Sequence, residues 1–246
     1  MAYKVMIGHL VCDEYGTSGS AKSKPGDQTG KESRIQEWYS TSWQFVFRPK
    51  TKKLANIIAS AMETICNMPN LGGYNQTRRT TLANYAKAHN WKLEEVTEPC
   101  ESDCSSAIAV CLNAAGIPVS IDMYTGNAKK IIEATGKFKT LTADKYLKKP
   151  DNLKRGDIIL KIGHIVTVVD NVYVIDRELS EGSKGKDVKM LQTALNENGF
   201  TLEVDGILGT LTKNAVLLFQ KDHKLKQDGI VGKKTAIALG FGWEGF

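Results

Sequence analysis

Long apolar runs are missing from this 246-residue chain. No stretch approaches the ~18 apolar residues of a membrane-spanning helix, so no membrane insertion is expected. Metal-ligand spacing is missing too. There is no HExxH and no CxxC, and the four histidines (His9, His89, His164, His223) are scattered, so no metal and no cofactor are expected. Five cysteines, Cys12, Cys66, Cys100, Cys104 and Cys111, are an odd number at irregular spacing, which argues against a disulfide framework. Met1 to His9 lack a long apolar stretch with a small-residue cleavage site, so no secretory signal is expected. Lys and Arg outnumber Asp and Glu by 33 to 27, for a net charge of +6. The densest basic run, Arg48 to Lys53, reads as a solvated turn before a helix, so nucleic acid is not an expected partner. With 41% hydrophobic residues, the chain can build one ordinary domain and a small module.

What the chain does have is a phrase repeated near its end. Asp205-Gly206-Ile207-Leu208-Gly209 is followed by Thr212 and Ala215. Twenty-three residues on, Asp228-Gly229-Ile230-Val231-Gly232 is followed by Thr235 and Ala238. Each Asp-Gly suits a tight turn, because glycine takes positive φ without penalty and aspartate bonds its own backbone. Each copy runs into a helical pattern: Ala215, Val216 and Phe219 in the first, Thr235, Ala238 and Leu239 in the second. Upstream, Val188, Leu191 and Leu195 share a helical face that Gly199 ends. The spacing predicts three short helices on two Asp-Gly loops, a module of about sixty residues with a marginal core.

At the same spacing Gly185, Leu191-Gln192, Gly199-Phe200, Val204-Asp205-Gly206, Phe219-Gln220 and Asp228-Gly229 resemble the peptidoglycan-binding domain at the ends of bacterial and phage wall hydrolases. That resemblance implies cell-wall peptidoglycan as the partner of residues 185–246.

The rest divides into a domain at 1–179 and a short linker at 180–184. Asp13 to Lys31 has turn composition. Helices are expected from Leu54 to Ile65, Thr81 to His89, Ser105 to Ala115 and Asn127 to Ala134. Strands follow at Asp157–Leu160, His164–Val169 and Val172–Ile175, with a turn at Asp170-Asn171. Helices first and strands later make an α+β domain. Two segments carry chemistry. Glu101-Ser102-Asp103-Cys104-Ser105-Ser106 leads into a helix, where the positive end of the helix dipole is expected to lower the Cys104 pKa and free N–H groups to hold an oxyanion. His164 begins a strand that can present an imidazole to that thiol, a pairing suited to acyl transfer. Cys111, two turns inside the helix, suits the core.

D-C-S-S entering a helix, then G-D-I-I and G-H-I-V-T-V-V, resembles the NlpC-type and CHAP cysteine hydrolases of peptidoglycan. Gly26-Asp27-Gln28-Thr29-Gly30-Lys31-Glu32 with Trp38-Tyr39 looks like the opening of a group of phage lysins. Ser106 stands where many members have Gly. The resemblance implies a papain-like fold, Cys104 as nucleophile, His164 as base and a third polar residue on the strand after it. A hairpin across Asp170-Asn171 would make that residue Asp176, with Asp170 second. The Cys104 N–H, and the Gln28 side chain after it, are candidates for the oxyanion hole; Trp38, Tyr39 and Trp43 suit a groove or the core. The implied function is endolysin-like cleavage of a stem-peptide amide. The muramoyl-alanine amidase bond and a non-enzymatic wall-binding role stay open. Such a chain is made in the cytoplasm and acts on the wall after release, with a phage membrane-permeabilising protein as partner.

Overall fold

In the computed structural model, which describes residues 3–27, 29–68 and 71–243, strands open the chain as well as close it. β1 (Tyr3–Leu10), β2 (Ser33–Glu37) and β3 (Phe45–Pro49) flank and follow the Asp13–Lys31 loop, in a stretch for which no strand was expected. β1 is buried on both faces at Ile7–Leu10, so it lacks the alternation of a half-exposed strand. After β3 come α1 (Lys52–Cys66), β4 (Gly72–Tyr74), α2 (Thr81–Ala88), β5 (Cys100–Ser102) and α3 (Cys104–Ala114). Then follow α4 (Thr125–Ala134), β6 (Phe138–Leu141), α5 (Asp144–Leu147), β7 (Ile158–Lys161) and β8 (His164–Ile175). The main sheet runs β2-β1-β8-β7-β3-β6, so strands from both ends of the domain interleave. The α+β class holds, but the expected order of helices first and strands later does not.

The turn expected at Asp170-Asn171 is not formed. β8 runs unbroken through it, because β-branched runs on either side favour extension. The hairpin turn is Ile162-Gly163, and it places Lys161 directly opposite His164. Arg48, expected in a solvated turn, instead forks onto the buried Asp157 carboxylate at 2.9 and 2.6 Å.

α3 is buried continuously from Ser105 to Leu112, against α1 and α2. α1 starts on a Thr51 cap and buries Ile58, Met62 and Ile65. It also approaches β1 so closely that a Cβ on Gly8 would stand 2.5 Å from Met62 Cγ. Glycine at that position lets the helix seat on the strand that carries His9.

Val5–Asn171 form one compact unit; residues from Val172 onward, with the chain's first few, form the other. The division falls before the expected linker. Leu179 bridges to Val231, Gly182 N–H donates to the Leu208 carbonyl, and Leu208 N–H to that of Ser183. Residues 180–184 are thereby tied into the second unit. Its helices are α6 (Lys186–Glu197), α7 (Thr210–Asp222) and α8 (Lys233–Ala238), and a short β9 (Gly242–Trp243) pairs with the end of β8.

The repeated phrase has a structural cause. Gln192 donates to Asp205 Oδ1, the Ile207 carbonyl and Thr212 Oγ1, and accepts from Gly206 N–H. Gln220 donates to Asp228 Oδ1, the Ile230 carbonyl and Thr235 Oγ1, and accepts from Gly229 N–H. Each helix thus holds the next Asp-Gly loop through one buried glutamine, with Gly206 and Gly229 at φ +84 and +69. The match ends at the last position: Ala215 is buried, whereas Ala238 is exposed and Ala236 takes the core place.

Candidate active site

Cys104 is the first residue of α3, and the turn that presents it is tightly built. Asp103 caps the helix, accepting from Ser106 N–H at 2.7 Å, while Ser106 Oγ accepts from Asp103 N–H at 2.9 Å. This reciprocal capping box explains Ser106, the position at which glycine is commoner in the resembling families. Arg79 clamps the other oxygen of Asp103 at 2.6 Å and reaches the Met123 carbonyl. With the Ser106 and Ala107 N–H groups both bonded to Asp103, the Cys104 and Ser105 N–H groups remain to face the thiol side of the turn.

The thiol packs against β8, where it is bonded by the peptide group of Ile165, the residue after His164. Its pKa corrects the expectation. Burial, and after it the Asp103 carboxylate, push the thiol up to about 11, against smaller opposing bonds from Ile165 and Ser105. Helix-end stabilisation of a thiolate does not overcome desolvation here. The imidazole moves the other way: burial, then the Lys161 ammonium, lower His164 to about 4. The resting pair is therefore a neutral thiol and a neutral imidazole across the physiological range.

The ring facing His164 is another histidine. His9 Nδ1 lies 3.2 Å from His164 Nε2, and burial and His164 itself lower its pKa to about 3. Trp43 stacks on His164 at 6.0 Å and 28°, and Tyr39 stands 5.8 Å from Trp43 and 6.2 Å from His9. Tyr39 also senses Cys104, which adds to the effect of burial in raising its pKa. His164, His9, Tyr39 and Trp43 form one wall, and Cys104 is tied to it through the Ile165 peptide and its effect on Tyr39. His9 was missed because it is 155 residues from its partner; its one signal is an imidazole within an otherwise apolar strand. The other two histidines serve helix ends in the same way. His89 and His223 each bond the carbonyl four residues back, and stack on Tyr85 and Phe219.

The remaining predicted residues fare differently. Asp176 is exposed, one residue beyond β8 and in the other unit, and the hairpin that was to fold it back beside His164 does not exist. Asp170 lies six residues along the same strand from His164 and interacts with Arg155. Gln28 lies outside the described residues. Cys111 is fully buried in α3, as expected of a core residue. Next to the turn that presents Cys104, Glu101 is buried and held at 3.2 Å by Arg78. Burial, with the nearby Glu32 and Glu14, pushes its carboxyl up to about 7 despite Arg78. Its Oε2 atom has no hydrogen-bond partner.

Residues 7–173 match the model of the endolysin-like domain, more than half of the chain. The chain belongs to the endolysin-like domain family. Residues 184–239 match a second family, described as "Putative peptidoglycan binding domain". Over 73 residues the chain is 40% identical to the "Zinc D-Ala-D-Ala carboxypeptidase" of Streptomyces albus G, covering 28% of this chain and 29% of that protein. Over 64 residues it is 44% identical to a "Probable N-acetylmuramoyl-L-alanine amidase" of Bacillus licheniformis, covering 25% and 18%. The chain thus spans less than a third of either relative, and both alignments are far shorter than the span 7–173.

Among solved structures, the SleB N-terminal domain is 39% identical over 27% of this chain and 92% of that one, with a TM-score of 0.26. A fused Zn-dependent amidase/peptidase/peptidoglycan-binding protein of Clostridium acetobutylicum is 35% identical over 28% and 31%, also at 0.26. Two of these names include zinc. Among the described residues, however, no group of three or more His, Cys, Asp or Glu side chains is placed to hold a metal ion. The described donors therefore do not assemble a zinc site.

Proposed function

We propose that this endolysin-like protein hydrolyses an amide of the peptidoglycan stem peptide with Cys104 as nucleophile, while residues 185–246 hold it on the wall. The observation that carries the reading is the Cys104 thiol at the mouth of α3, bonded by the peptide group of Ile165 on the strand that begins with His164. The arrangement is papain-like in kind: nucleophile on a helix end, base on the sheet. His164 Nε2 faces His9, which leaves Nδ1 for the thiol. As the thiol attacks, its proton passes to Nδ1 and the sulfur bonds the carbonyl carbon. The oxyanion takes the Cys104 N–H, and the collapsing intermediate expels an amine protonated by His164. Water, deprotonated by the same imidazole, then releases the acyl group. His9 accepts the Nε2–H and steadies the imidazolium without adding a charge, so it takes the orienting role assigned to Asp176.

Because the ion pair is not preformed, the proton must move during attack rather than before it. Alkylation of Cys104 by a neutral reagent should therefore stay slow at pH 7 and climb toward the thiol's own pKa near 11. For the wall-binding unit, the buried Gln and Thr of the repeat, and the more exposed Asp they hold, are occupied by the fold. Exposed Leu211 and Leu218 on α7 and Ile237 on α8 supply its apolar surface.

Mass spectrometry of digested walls tests the proposal. New amino termini within the stem peptide support it, and a free L-alanine amino terminus moves the bond to the muramoyl amide. New reducing sugar ends with intact peptides would overturn it.

A further inference from the structure

Lys161 is placed where a cation is hard to justify for folding alone. It closes the β7–β8 hairpin directly opposite His164, and opposed residues of an antiparallel pair share a face of the sheet. The turn between them is fixed from both sides: Gln44 Oε1 accepts from Ile162 N–H, and Thr125 Oγ1 from Gly163 N–H. The Lys161 stem is half-buried. Its Nζ donates to Thr41 Oγ1 at 2.9 Å and sits 5.8 Å from the Trp43 ring, which in turn stacks on His164. Among the described residues no ion pair includes it. The charged and titratable groups acting on His164 are Lys161 from β7 and His9 from β1, with Arg34 of β2 acting on His9; Tyr39 before β3 stands beyond His9, and Cys104 from α3 acts on Tyr39. None supplies a negative charge at neutral pH. The wall thus offers a fixed, half-desolvated cation beside the base and no anion to match it.

We infer that Lys161 receives a carboxylate of the substrate, so that the enzyme selects peptides with a free carboxylate close to the scissile amide. This rests on the hydrolase reading above and names the substrate class for it. It also resolves a conflict in the site. An unmatched ammonium disfavours the imidazolium that His164 must become, and a seated carboxylate cancels that effect. The base gains strength only when the right substrate is bound, and the flanking group is recognised through a charge-assisted hydrogen bond. Trp43 lines the same contact and orders the lysine stem.

The test compares two synthetic stem peptides, differing only in a free carboxylate or a carboxamide next to the scissile bond, on the full-length protein and on Lys161→Met. The methionine keeps an apolar stem against Trp43. The wild type should prefer the acid roughly tenfold or more in kcat/KM, and Lys161→Met should lose that preference. The His164 imidazole, followed by NMR titration, should also gain its proton at higher pH in Lys161→Met, a readout that needs no hydrolysis. Equal acid-to-amide ratios in the two proteins, or a wild-type preference for the amide, would overturn the assignment. If the wild type cleaves neither peptide, the hydrolase reading fails separately. Titration of both peptides onto Cys104→Ala by tryptophan fluorescence then still decides Lys161: tighter binding of the acid supports it, and equal binding refutes it.

Discussion

The Asp-Gly loops of the wall-binding unit and the helix mouth at Cys104 use polar groups in opposite ways. In the loops each buried glutamine bonds three acceptors and a backbone donor, so nothing polar is left over. Around the candidate site several groups are left over among the described residues: His9 Nε2 and Glu101 Oε2 are buried without a hydrogen-bond partner, and no ion pair includes Lys161. Leaving a buried polar atom unpaired costs about 1–3 kcal/mol, so a fold tolerates it mainly where another task needs the group. The first region is a fold written twice; the second is chemistry that the fold carries.

The contrast breaks most completely at the nucleophile. Cys104→Ala should lower wall lysis by about 10⁴-fold or more, with the melting temperature little changed, as measured by clearing of a wall suspension beside a thermal melt. Cys111→Ala, inside the same helix, should do the reverse: activity retained, with about 1–2 kcal/mol of stability lost to a small cavity. A Cys104→Ala protein that clears walls at the wild-type rate would end the cysteine reading.

Glu101 gives the next largest effect. Its carboxyl is near 7 in the fold against an ordinary 4.5, so the folded state holds the proton more tightly. The associated stability is fully present below about pH 4.5 and is lost as pH rises through 7. Glu101→Gln, which cannot ionise, should remove that loss and gain roughly 3 kcal/mol relative to wild type at pH 8. Thermal melts from pH 4 to 9 measure it; parallel curves for the two proteins would mean that Glu101 holds its proton no more tightly in the fold than in the unfolded chain.

What could be read from the sequence follows the range of the interaction. The helices at Lys52–Cys66, Thr81–Ala88, Cys104–Ala114 and Thr125–Ala134 announce themselves by local periodicity and caps. Asp103-Cys104-Ser105-Ser106 is a local capping signal, so the thiol's place on the helix was legible. β1 was not, since a strand buried on both faces shows a plain apolar run. The Asp170-Asn171 turn was misread because turn-compatible residues do not compel a turn when strand pairing continues on both sides. The choice of Asp176 rested on that turn. His9 depends on β1 and β8 lying side by side in the sheet, which no local pattern encodes.

The orienting role of His9 predicts a smaller kinetic effect than loss of the thiol. His9→Ala should reduce kcat by roughly a hundredfold or less with KM little changed, because a misoriented base still binds substrate. His9→Asn should recover part of it, since an amide oxygen can accept the Nε2–H. His9→Asp should raise the acid limb of the pH profile, as a carboxylate favours the imidazolium. An Ala variant with wild-type kcat would leave His9 a packing residue only.

The smallest effect tests the other side of the comparison. Gln220→Ala deletes one donor and acceptor set and leaves Thr235, the Ile230 carbonyl and Gly229 N–H without their partner. Solvent can reach part of the loop through the half-exposed Asp228, so the loss should be about 2 kcal/mol rather than the sum of its bonds. Gln192→Ala should cost a similar amount, because Gln192 makes the equivalent bonds to Asp205, Ile207 and Thr212. Both variants should bind walls less well in a pelleting assay at 37 °C while hydrolysing soluble muropeptides as before. A glutamate at either position is the sharper probe: it keeps the shape and the acceptor, but loses the donor and sets a carboxylate against Asp205 or Asp228. It should destabilise more than alanine at pH 7 and recover as pH falls toward 4. If alanine and glutamate behave alike across that range, the glutamines act by filling space and the duplicated hydrogen-bond clamp is not what holds the loops.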